Sequence, residues 1–164
     1  MRGLKFHKIY AKKYLGVFLS FKDDLEVGRK IEEYILKRIQ IKYPQAKIME
    51  GYFKEYDIII PETNTTIEVK SDVKSLHTGN FVVEVEFDGK PSALSTTTAD
   101  WWVFYDSETE FWITPELIRH SVKGLELREF IGKGDTKSKK AYLCPKDYIK
   151  LNSKFVRPIE GGLL

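Results

Sequence analysis

Three charged side chains stand where strand packing has no evident use for them. In "YDIIIPETNTTIEVKS", residues 56–71, Asp57 precedes three isoleucines, and Glu68 and Lys70 lie two positions apart in a β-branched run. Isolated charges in such runs oppose burial unless something compensates them. Strand side chains alternate, so Glu68 and Lys70 share one face with Cα atoms about 6.5 Å apart, while Ile67 and Val69 take the other. In the preceding strand Asp57 and Ile59 share a face. If the turn "PETN" pairs the strands with Asp57 near Glu68, two carboxylates and an ammonium converge. Neighbouring carboxylates repel each other, and a divalent cation relieves the repulsion. Oxygen ligands without sulfur or imidazole favour magnesium or manganese over zinc. The lysine would orient a water or stabilise charge growing on a phosphate. The competing account is a Glu–Lys pair on a half-exposed strand, an arrangement worth little to stability. The spacing alone leaves both open.

The elements that must position these residues follow from periodicity. "DDLEVGRKIEEYILKRIQIKYP" reads as a helix capped by Asp23 or Asp24 and closed by Pro44, with Val27, Ile31, Tyr34, Ile35 and Ile39 on one stripe. "KIME", "YDIII" and "NTTIEVK" read as strands. "NFVVEVEF" alternates, with Phe81, Val83, Val85 and Phe87 on one face and Glu84 and Glu86 on the other. "DGKPSALSTTTAD" carries turn signals. "WWVFY" and "EFWIT" read as aromatic strands; one of Trp101 and Trp102 belongs to the core, leaving the other to stack on a base. "TPELIRHSV" reads as a helix with Thr114 as its cap and Pro115 first. The order of elements predicts a mixed α/β (α+β) domain around one sheet.

An aspartate, an interval of about ten residues and then E-x-K in a hairpin is more specific than its parts. Asp57 precedes Glu68 by eleven positions, and apolar residues flank Glu68 in "IEVK". This pattern resembles the PD-(D/E)XK nuclease superfamily, whose motif residues map to Asp57, Glu68 and Lys70. Tyr56 stands in place of the proline before the aspartate, a position at which the superfamily often varies. The order of elements fits across residues 25–105. The resemblance implies a restriction-endonuclease-like core, with a central mixed sheet flanked by helices, and hydrolysis of DNA phosphodiesters by in-line attack of an activated water. A structure-selective endonuclease fits best, since no specificity domain follows the core. It further implies magnesium, replaceable by manganese, held by Asp57, Glu68 and the Val69 backbone carbonyl, with Lys70 acting on the water. A glutamate on the first helix often joins such sites. "GRKIE" resembles the glycine-to-glutamate pattern of resolvase-like members and marks Glu32, at the margin of the apolar stripe, whereas Glu33 lies on the solvated face. "KPSALSTTTADWWVF" resembles a segment of phage-type members, which suggests a setting in phage DNA metabolism, repair or recombination. Junction-resolving relatives act as dimers, so a homodimer is expected. The alternative is a non-catalytic nucleic-acid-binding module of a larger complex.

Composition agrees with this reading without requiring it. The chain has 164 residues, 42% of them apolar, which suits a single domain over residues 1–164 with one packed core. No run of about 18 apolar residues is present, so no membrane association is expected, and the N-terminal stretch makes a poor signal peptide. Cys144 is the only cysteine, and His7, His77 and His120 are widely separated, which excludes an internal disulfide and a cysteine zinc cluster. A cytoplasmic protein, or a viral one acting in the host cytoplasm, is expected. Net charge is only +3, but the cations are clustered. Arg2, Lys5, Lys8, Lys12, Lys13 and Lys22 form an acid-free N-terminal group, and "GKGDTKSKK" supplies Lys133, Lys137, Lys139 and Lys140. Clustered cations are the footprint of a polyanion such as DNA. Residues 114–164 are expected to add a C-terminal helix and a basic loop.

Overall fold

The computed structural model describes residues 21–51, 55–131 and 136–159. Helix α1 (Phe21–Gln40) already contains Asp23 and Asp24, so neither is its cap, and it stops short of Pro44. Its stripe is the expected one: Ile31, Ile35 and Ile39 are buried, and Val27 and Tyr34 pack beside them. Strands β1 (Lys47–Ile48), β2 (Ile58–Ile60) and β3 (Thr65–Ser71) follow as an antiparallel meander. The turn between β2 and β3 closes with Asn64 at φ 52°, a left-handed conformation that asparagine tolerates.

After β3 the chain crosses over and returns as β6 (Trp101–Tyr105), parallel to β3. The crossover carries a short helix α2 (Ser75–Thr78), strands β4 (Asn80–Phe87) and β5 (Lys90–Pro91), and a 3-10 turn over Ala93–Ser95. Asp88 and Gly89, at φ 53° and 74°, form the two-residue loop between β4 and β5. Asp-Gly is the pair such a loop demands, because both residues need positive φ. Beyond β6 come β7 (Thr109–Ile113), α3 (Pro115–Val122), β8 (Leu127–Ile131), β9 (Ser138–Pro145), α4 (Lys146–Asn152) and β10 (Phe155–Pro158). Helix α3 starts as expected, with Pro115 first and Thr114 accepting the Leu117 amide at 3.4 Å.

The fold is mixed α/β, with a mixed central sheet flanked by helices. That sheet runs β1-β2-β3-β6-β7-β10, and β3–β6 is its parallel pair. A second, antiparallel sheet runs β5-β4-β9-β8, which corrects the expectation of one sheet. Helix α1 covers one face of the main sheet, against Ile58, Ile60, Ile67, Val103 and Tyr105. The opposite face carries Trp102, Phe104, Phe111 and Ile113 and meets Phe81 and Val83 of β4, Cys144 of β9, Ile118 of α3 and Ile149 of α4. The alternation expected for β4 fails near its end. The β4–β9 register shifts between Glu84 and Glu86, and Phe87 emerges 38% exposed while Phe81 and Val83 stay buried.

Candidate active site

The hairpin brings Asp57 beside β3. Ile58 pairs with Ile67, Ile59 with Thr66 and Ile60 with Thr65, which leaves Asp57 at the end of the ladder. The ladder stops there. Strand β2 begins at Ile58, while β3 runs on through Glu68, Val69, Lys70 and Ser71. At this divergence the Asp57 amide donates to the Ile67 carbonyl at 2.9 Å, and Asp57 Oδ2 accepts the Val69 amide at 2.6 Å. A carboxylate thus replaces the missing β2 backbone as the acceptor for Val69. In a strand the N–H and C=O of one residue point to the same side, so the Val69 carbonyl opens on the edge that Asp57 occupies. Asp57 is 5% exposed, so this is a held carboxylate rather than a surface one.

Glu68 and Lys70 project from the face opposite α1. Lys70 Nζ lies 2.5 Å from Glu68 Oε1, with the two side chains 34% and 19% exposed. The ammonium also sits 5.1 Å from the centre of the Trp102 ring. Trp102 is buried, and its Nε1 donates to Thr97 Oγ1 at 3.0 Å, so the surface under Lys70 is fixed at both ends. Alternation could not show this support, because Trp101 and Trp102 are equivalent until the second sheet is known. Trp102 faces that sheet and Trp101 faces the side of α1.

Asp57, Glu68 and the Val69 carbonyl offer oxygen alone, the donor atom that magnesium takes while retaining water. Among the described residues no three aspartate, glutamate, histidine or cysteine side chains gather as a metal cluster. Glu32 is half-buried on α1, the helix that covers the face opposite Glu68. Glu50 raises the Arg29 pKa most, against burial, and Glu33 and then Glu32 add smaller shares. Glu33 is exposed, as expected, and Arg29 Nε lies 3.4 Å from it. Glu84 accepts the Ser92 hydroxyl at 2.8 Å and Glu86 pairs with Lys140 at 2.8 Å, so each has a partner within the second sheet.

The basic segment differs from the expected loop. Strand β9 starts at Ser138, which places Lys139 and Lys140 in a strand paired with both β4 and β8. Lys137 bonds Asp88 at 2.7 Å, and Lys139 lies 5.9 Å from the Phe130 ring. Glu86 raises the pKa of Lys140. Such exposed pairs are weak and can exchange for phosphate contacts. Lys12, Lys13 and Lys133 lie outside the described residues.

Charged groups that the sequence reading passed over are structural. Asp106 is buried, accepts the Glu108 and Thr109 amides at 2.9 and 2.7 Å, and pairs with Lys146. Asp72 accepts the Ser75 and Val82 amides and so ties α2 to β4, with burial raising its pKa. Glu110 is fully buried, 2.9 Å from Arg38 Nη1, and accepts Trp112 Nε1 at 2.9 Å. Cys144 is buried, as expected of a small apolar residue. Among the described residues no helix is long and apolar enough to cross a membrane. The chain matches no protein-family model, no curated protein and no solved structure.

Proposed function

We propose that the protein is a metal-dependent nuclease that hydrolyses DNA phosphodiesters, acting as a structure-selective endonuclease. The observation that carries this reading is the Asp57 carboxylate on the Val69 amide, at the point where β3 runs past the end of β2. There a carboxylate meets the edge that carries the Val69 carbonyl, and β3 carries Glu68 and Lys70 on either side of Val69. Asp57, Glu68 and the Val69 carbonyl would hold magnesium, or manganese in its place, which supplies Lewis-acid polarisation and a more acidic water.

The chain's own groups divide the remaining work. Asp57 supplies negative charge and fixes the β3 edge, so the Val69 carbonyl does not wander. Glu68 supplies the second carboxylate and holds the Lys70 ammonium close to β3. Lys70 is a compact cation with three donors on a flexible stem. It can shift from Glu68 to an attacking water or to a phosphate oxygen as negative charge grows there. As the new oxygen–phosphorus bond forms in line, the bond to the leaving oxygen breaks. Trp102 shields one side of the ammonium from water and limits how far it swings. Glu32 is assigned an auxiliary part, as a further carboxylate at the helix side. A homodimer on branched DNA, in phage DNA metabolism, repair or recombination within the cytoplasm, is the setting in which this activity fits.

The test is cleavage of duplex, nicked, flapped, single-stranded and four-way DNA, with magnesium and in a chelator. Metal-dependent cleavage of any of these supports the reading. Cleavage that survives in the chelator overturns the metal site. Binding without cleavage of any substrate assigns the chain instead to a nucleic-acid-binding module of a larger complex.

A further inference from the structure

The main sheet has a half that α1 does not dominate. The helix packs chiefly over β1, β2, β3 and β6, through Ile31, Ile35 and Ile39. On the same face, β6, β7 and β10 carry Trp101, Trp112 and Phe155. Phe155 pairs with Trp112, which pairs with Val103 of the α1-side core, so all three share that face. Trp101 and Phe155 come from strands on either side of β7, and their rings lean across it to 6.1 Å at an interplanar angle of 37°. Trp101 and Trp112 are half-buried at the core margin, while Phe155 is 49% exposed on an edge strand.

Positive charge rims this aromatic ridge. The Arg157 guanidinium lies 5.3 Å from the Phe155 ring centre, two residues along β10 on the same face. Arg38 stands at the α1 border, where it pairs with Glu110. Glu110 is an acid of this face, but it is fully buried and bonded to Trp112, so it does not set the charge presented outward.

We propose that this ridge is a stacking surface for the unpaired bases of a DNA strand. Unpaired bases present flat faces to aromatic rings, and their phosphates suit Arg157. A duplex hides its base faces and would engage the cations alone. A second copy of this chain added along β10 is the competing occupant, but two such edges would bring Arg157 toward its own kind. The proposal rests on the nuclease reading only for its choice of DNA, and it names the strand state that the substrate presents away from the cleavage site.

The test is binding by the full chain in a chelator, so that no turnover occurs. Fluorescence anisotropy would follow labelled oligo-dT of about 20 nucleotides and a duplex of equal length, longer than the roughly 4–16 nucleotides of a single-strand binding site. Phe155→Ala should weaken oligo-dT binding about tenfold, within the range for losing one base–aromatic stack, and change duplex binding by less than about twofold. Phe155→Trp should restore it, which excludes simple misfolding. Arg157→Gln should weaken oligo-dT binding and flatten its salt slope by about 0.7. Unchanged oligo-dT affinity in Phe155→Ala, or equal losses on oligo-dT and duplex, overturns the proposal. So does a dimer that Phe155→Ala splits while oligo-dT affinity stays the same, which would give the ridge to a second copy. If the wild-type protein cleaves nothing but shows this binding pattern, the ridge stands and the nuclease reading falls.

Discussion

Replacing Asp57 with asparagine separates the two jobs this residue is given. Its Oδ2 accepts the Val69 amide at 2.6 Å in a site 5% exposed. An asparagine oxygen can accept the same bond. A hydrogen bond to a charged group contributes about 1.5–3 kcal/mol and a neutral one about 1, so the exchange should cost about 1 kcal/mol. In a chain of this size that lowers Tm by about 2–4 °C. Alanine removes the acceptor and strands the amide, at about 2–3 kcal/mol. Cleavage should respond differently. Both variants lack the negative charge that the site needs, so each should lose at least about a hundredfold in rate, equivalent to about 2.7 kcal/mol of barrier. Glu68→Gln and Lys70→Ala should lose as much rate without stranding the Val69 amide. The measurements are urea unfolding and single-turnover cleavage, in saturating magnesium, of the best substrate in the panel. If Asp57→Asn loses about 1 kcal/mol of stability yet cleaves within about threefold of wild type, Asp57 is a backbone clamp only, and its catalytic role is refuted.

Three further expectations follow from neighbouring geometry. Glu32→Ala should lower cleavage or magnesium affinity, while Glu33→Ala removes an exposed contact to Arg29 worth at most about 0.5 kcal/mol and should be nearly silent; equal activity returns Glu32 to a rim role. Replacing Lys137, Lys139 and Lys140 together by alanine should weaken DNA binding in calcium and leave single-turnover cleavage at saturating DNA unchanged. Because Lys137 and Lys140 already engage Asp88 and Glu86, the salt slope should flatten by about one contact, roughly 0.7 to 0.9, and an unchanged slope removes this strand from the DNA footprint. Burial pushes the Cys144 thiol up to about 11. Only about a thousandth would be thiolate at pH 8, so a disulfide reagent should label the native protein slowly, faster as pH rises toward 11 and at once after unfolding. Rapid native labelling at pH 8 would contradict the burial.

How much of this was legible in the sequence depended on how far apart the interacting residues lie. The α1 stripe, the β1-β2-β3 meander and the approach of Asp57 to β3 are local patterns, and periodicity with one turn is enough to give them. The second sheet is not local. Phe81 pairs with Cys144 across the whole of β6, β7 and α3, and the lysines of "SKKAYL" hide the strand alternation of β9. The choice between Trp101 and Trp102, and the emergence of Phe87, depend on that sheet and its bulge, so alternation alone could not settle them. The Asp57 bond to Val69 was also out of reach, since spacing tells which face a side chain takes but not which amide lacks an acceptor.

Charges inside β-branched runs need compensation, and here two of them receive it in opposite ways. Glu110 in "ETEFWIT" is answered by Arg38 from α1 and by the Trp112 indole, and it ends fully buried. Removing Arg38 would leave that carboxylate without its ion-pair partner, a change that typically costs about 3–5 kcal/mol. The group is closed, and structure alone accounts for it. Glu68 is answered by Lys70 from its own strand, two residues away, and both remain partly open to solvent. A pair drawn from one strand adds nothing to the tertiary fold that two apolar residues would not supply better. It stands on either side of Val69, the residue that Asp57 holds, and its partial exposure gives it access that Glu110 lacks. Local compensation combined with access is the reason the proposed chemistry falls on Glu68 and Lys70, with Asp57 at the adjoining edge, and stability on Glu110, although the sequence presents Glu68 and Glu110 alike as a carboxylate among strand formers.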